Sequence, residues 1–62
     1  MNEEMKRIRE ALALSQDTAA RQIGVTMNTY ARWERGEAVP RGMILAALNR
    51  WIARNKAKAD AS

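Results

Sequence analysis

The 62-residue chain contains no cysteine and no histidine. Those two absences exclude disulfide staples, thiolate chemistry, imidazole acid–base pairs and nearly all zinc sites, so neither an enzyme nor a cofactor-bound protein is expected. Proline occurs once, at Pro40, and glycine three times, at Gly24, Gly36 and Gly42. No apolar run approaches the ~20 residues of a membrane span, and the start Met1-Asn2-Glu3-Glu4 is acidic where a signal peptide would be basic and then apolar. A cytoplasmic protein with no membrane partner is the expectation. One domain is all this length allows, near the lower limit for a core without staples, so an oligomer would fit.

The informative stretch runs from Ser15 to Gly36. Ser15 stands where an N-cap belongs, Ala19, Ala20 and Ile23 recur at helical spacing, and Gly24 follows where a chain leaving a helix turns left-handed. A second helix follows on the same plan: Thr26 caps it, Tyr30 and Trp33 form its inward face, and Gly36 closes it. Two helices joined by so short a turn must cross steeply, and Ala20 is small enough to let them approach. This is helix-turn-helix geometry.

Outside that stretch, Met5, Ile8 and Leu12 share one stripe, predicting an amphipathic first helix over about Asn2 to Leu12. Ala13 and Leu14 link it to Ser15, and Gly36 and Pro40 punctuate a loop over 37–41. From Gly42, Met43, Ile44, Leu45, Ala47, Leu48, Trp51 and Ile52 predict a long last helix reaching about Lys56, with a fraying end beyond. The expected fold is an all-α bundle of four helices: residues 1–56 form the domain, and 57–62 a frayed tail. The apolar side chains of the last helix spread over roughly twice the ~100° arc that one core contact requires. Ile44, Leu45 and Leu48 are therefore expected to pack on the first three helices, leaving Trp51 and Ile52 as a dimer interface.

The pattern resembles the Cro/lambda-repressor (Xre-type) helix-turn-helix family. The matching residues are Gln16, Ala20, Gly24, Val25, Tyr30 and the run Trp33-Glu34-Arg35-Gly36 with Pro40 beyond, while Arg9-Glu10 fits the end of that family's first helix. About residues 5 to 48 are covered. Two positions depart from the family: Ala19 stands where a leucine is usual and Tyr30 where a branched aliphatic is, a size exchange that close packing would make compensatory. The resemblance implies an Arg9–Glu34 salt bridge tying the first helix to the third.

It also implies double-stranded DNA as the partner. On the matching positions the third helix enters the major groove with Thr26, Met27, Asn28 and Arg32 reading bases, Ala31 permitting close approach, while Gln16, Thr29, Arg35 and Arg41 hold phosphates. Charge agrees with this placement. Net charge is +4, and Arg21, Arg32, Arg35, Arg41, Arg50, Arg54, Lys56 and Lys58 face only Glu34 and Glu37 in the same span. The resemblance implies a bacterial or phage transcription regulator, most simply a homodimeric repressor on a palindromic operator, with autoregulation plausible and no small-molecule effector in view. The alternative is an antitoxin or accessory protein whose last helix docks a partner.

Overall fold

Helices form where the apolar stripes predict them. The computed structural model describes residues 2–61, with α1 at Asn2–Ala11, α2 at Gln16–Ile23, α3 at Met27–Arg35 and α4 at Gly42–Ala61. The two predicted N-caps are made: Ser15 Oγ accepts the Thr18 N–H at 3.0 Å, and Thr26 Oγ1 accepts the Thr29 N–H at 3.2 Å. Each satisfies one of the donors that a helix start leaves without an intrahelical partner.

The first three helices also end alike. Gly24 (φ 105°) and Gly36 (φ 78°) adopt the left-handed conformation and return their N–H groups to carbonyls of α2 and α3. At the end of α1 the same turn is made by Ala13, at φ 57°, with its N–H bonded to Glu10 C=O at 3.0 Å and the Leu14 N–H to Arg9 C=O at 2.9 Å. An alanine there carries the Cβ penalty that glycine avoids.

The core is built from Met5 and Ile8 of α1, Ala19, Ala20 and Ile23 of α2, Tyr30 and Trp33 of α3, and Leu48 and Trp51 of α4. The α2–α3 corner packs most extensively, α1 bridges α3 and α4, and α4 also lies on α2. Ala19 and Tyr30 are both fully buried in this one cluster, as the expected exchange of sizes requires. The Tyr30 and Trp33 rings meet tilted at 58°, with centroids 6.3 Å apart, within the favoured range for aromatic pairs.

Two expectations for the last helix are corrected. Its helical span, expected to reach about Lys56, runs to Ala61, because alanine and lysine are strong helix formers and the segment has something to pack on; Ser62 lies outside the described residues. Ala59 is buried, and Lys56–Glu4 (3.7 Å) and Arg7–Asp60 (3.2 Å) fasten this end to α1. The second correction concerns Trp51, which is fully buried inside the chain's own core and so offers nothing to a mate. Its indole Nε1–H donates to Gln22 Oε1 of α2 at 2.9 Å, and Asn55 Nδ2 donates to the Trp51 carbonyl at 2.8 Å. Ile52 packs, partly buried, against the same core.

The excess apolar arc lies at the opposite end of α4. The helix fully buries the stripe Leu48, Trp51, Asn55 and Ala59 and packs Ala47 and Ile52 partly against the core, which leaves apolar side chains of its first turn outside. Met43 is 89% exposed, Ile44 40%, and Val39 of the preceding loop 72%. Among the described residues, no helix is long and apolar enough to cross a membrane.

Candidate nucleic-acid interface

The buried side of α3 consists of Tyr30, Ala31 and Trp33, and the opposite side carries Asn28 and Arg32, both exposed. Asn28 and Arg32 are four residues apart and therefore stand one above the other on one helix face. Neither makes a hydrogen bond or ion pair among the described residues, so both side chains keep their full donor sets for a ligand. Met27, half-exposed, projects from the first turn beside them. Ala31, expected to ease the approach of DNA, is instead buried in the bundle.

The caps divide two adjacent hydroxyls between roles. Thr26 Oγ1 accepts from the Thr29 backbone at 3.2 Å and lies at hydrogen-bond distance, 2.9 Å, from Thr29 Oγ1. Thr26 is thus a cap, and one proton of the hydroxyl pair is left over for an acceptor such as a phosphate oxygen.

The basic residues are not equally available. Arg41 is exposed and without an ion pair among the described residues, but Arg35 is held bidentate by Glu37 at 2.7 and 3.1 Å. That hydrogen-bonded pair raises the Arg35 pKa and lowers that of Glu37. Arg35 would have to leave Glu37 to meet a phosphate. Arg21 is paired with Asp17 at 3.1 Å, one turn earlier on α2.

Behind this face lies the Arg9–Glu34 pair. Arg9 Nε donates to Glu34 Oε2 at 2.8 Å and Nη2 to Oε1 at 3.1 Å, and a further donor, Nη1, reaches Leu14 C=O at 3.0 Å. The Glu34 side chain is only 5% exposed and that of Arg9 14%. Burial works against the Glu34 charge, but the donors turned toward it, Arg9 foremost, outweigh burial and hold its pKa below the usual carboxylate range. The same pairing raises the Arg9 pKa. The Tyr30 hydroxyl is buried beside them without reaching hydrogen-bond geometry, and burial followed by the Glu34 carboxylate pushes its pKa up.

Three contacts were not legible from sequence. Gln16 Nε2 donates to Glu34 Oε1 at 3.0 Å, Gln22 receives the Trp51 indole, and Asn55 sits buried on the apolar stripe of α4. Only Asn55 left a trace, as a polar residue four positions after Trp51.

Two capped helices crossing at a left-handed glycine, with an exposed polar face on the second, define a helix-turn-helix unit of the DNA-binding kind. A family model described as Helix-turn-helix matches residues 5–50, most of the chain, and the protein belongs to that family in its Cro/lambda-repressor, Xre-type form. Members of this family are DNA-binding transcription regulators and not enzymes. No curated protein and no solved structure matches the chain.

Proposed function

We propose that the protein is a homodimeric repressor that reads a palindromic operator through the major groove and acts in the cytoplasm. The observation that carries this reading is the uncommitted Asn28–Arg32 pair on the outer face of α3. An asparagine amide there matches adenine N6 and N7, an arginine fork matches guanine O6 and N7, and Met27 would cover a thymine methyl group, with Thr26 at the groove edge. Thr29, Arg41 and Gln16 hold phosphates, and Arg35 joins them when it exchanges Glu37 for DNA.

Dimerisation is supported by size and by surface. The domain measures 29 × 19 × 18 Å, so two copies reading half-sites ~34 Å apart would stand side by side. The apolar surface left for that contact is Val39, Met43 and Ile44, not Trp51.

Selection of bound sequences from a random duplex pool tests the reading directly. A two-fold consensus is expected, and a consensus with no symmetry would remove the palindrome. Against the selected site, Arg32→Ala should cost ~1–3 kcal/mol and relax preference at one base position. Arg41→Ala should weaken all sequences alike and reduce the salt slope by about one unit. Equal weakening of every sequence by Arg32→Ala would refute its base-reading role.

A further inference from the structure

Glu34 lies where the family's fold needs an ion-pair partner, yet its geometry serves a second residue. Oε1 accepts from both Arg9 Nη2 and Gln16 Nε2, so the carboxylate that joins α1 to α3 also grips the first residue of α2. We propose that Glu34 is a positioning residue for DNA binding: it fixes the Gln16 amide so that the second N–H of that group is presented to a backbone phosphate. The inference rests on Gln16 as a phosphate contact.

The chemistry of the acceptor makes the orientation one-way. An ionised carboxylate only accepts, so it takes the nitrogen end of the Gln16 amide and refuses the oxygen end. The amide has two N–H groups; one is engaged inward, leaving the other for an anion beside the start of α2, where the helix dipole also favours negative charge. Ordering a free glutamine on binding weakens an interface by about 3–10-fold, and here the fold has done that ordering beforehand. Arg9 balances the carboxylate at 2.8 Å, which lets an acidic residue sit behind a DNA-facing amide with little repulsion.

Electrostatics and positioning predict opposite signs for one substitution. Glu34→Gln removes a negative charge near DNA, so charge alone would tighten binding. It also replaces a pure acceptor by an amide able to hold either end of Gln16, so loss of positioning would loosen binding.

The test is a double-mutant cycle between Gln16→Ala and Glu34→Gln on the selected duplex, below the melting temperature of every variant. Gln16→Ala should weaken binding about 3–10-fold without changing the salt slope, since a neutral amide displaces no counterion. Glu34→Gln should weaken it by a similar factor while Gln16 is present, and should cause no further loss once Gln16 is alanine, where only the charge effect remains. In the free wild-type protein the two Gln16 side-chain amide protons should give one NMR pair displaced from the position of a free glutamine, and that displacement should shrink in Glu34→Gln as both amide orientations become populated. If Glu34→Gln does not fold, Glu34→Asp keeps the charge, loses the reach, and should show the same coupling. Tighter binding by Glu34→Gln, or equal loss in both Gln16 backgrounds, would overturn the proposal while leaving Gln16 as a contact. No effect of Gln16→Ala would overturn both, with Arg32→Ala and Arg41→Ala still reporting on the groove.

Discussion

Truncating Glu34 to alanine should bring the domain close to unfolding. The substitution removes both acceptors of the Arg9 fork and leaves that guanidinium, 14% exposed, with the Leu14 carbonyl alone. Breaking a buried pair by deleting one partner costs about 3–5 kcal/mol, and the edge position of this pair argues for the lower value. A chain of 62 residues has about 3–9 kcal/mol to lose, so the loss would be a third or more of the whole. The expected fall in melting temperature is at least ~12 °C. Arg9→Ala should act similarly by leaving Glu34 with Gln16 as its one hydrogen-bonded partner. The double variant should then lose ~1–3 kcal/mol less than the sum, because the second truncation removes a group already unpaired. Urea unfolding of the four proteins measures this, and losses that add within ~0.5 kcal/mol would refute the coupling. Acid provides an independent check. Because the folded-state pKa of Glu34 is depressed, its contribution is fully present above the ordinary carboxylate pKa of 4.5 and disappears as pH falls through the lower folded value. The gap between wild type and Glu34→Ala should therefore narrow below about pH 4.5.

Further predictions concern the turns and the surface. Gly24→Ala should destabilise by ~1–2 kcal/mol through backbone strain, since a Cβ there would meet no atom within 4 Å at φ 105°. Ala13→Gly should do the opposite, raising stability by up to ~1 kcal/mol by relieving the alanine at φ 57°; a melting temperature lowered by Ala13→Gly would contradict the strain argument. In solution-mass measurements, wild type should be dimeric and Met43→Lys monomeric, with the variant still folded and its melting temperature no longer dependent on protein concentration. Trp51→Ala should instead cost ~3–5 kcal/mol of fold stability, as expected for emptying a buried aromatic site. A dimer that survives Met43→Lys would show that the mate sits elsewhere.

The helix-turn-helix corner was legible because each of its signals is local. A cap hydroxyl bonds a backbone N–H three residues away, a terminal glycine answers to its own φ, and a helical stripe repeats within two turns. Ser15, Thr26, Gly24 and Gly36 could therefore be placed before any tertiary contact was known. Ala13 shows the converse: the left-handed turn formed without glycine, closed by the backbone hydrogen bonds of Ala13 and Leu14 to α1 carbonyls.

The last helix illustrates what periodicity leaves open. Its apolar residues cover more surface than one contact uses, so the sequence determined that some would be exposed without determining which. The crossing of α4 over α1 and α2 decided that: Trp51 went inward, where Gln22 takes its indole proton, and Met43 and Ile44 were left outside. Pairings between distant residues have the same character. Family likeness gave Arg9 and Glu34, but only the folded chain brings Gln16 to the same carboxylate. By itself the sequence determined four helices, the caps of α2 and α3 and the outward face bearing Asn28 and Arg32, because backbone geometry follows from neighbours in the chain. Tertiary structure decided which apolar surface remains for a mate and which side chains share a partner, because those depend on where whole helices come to rest.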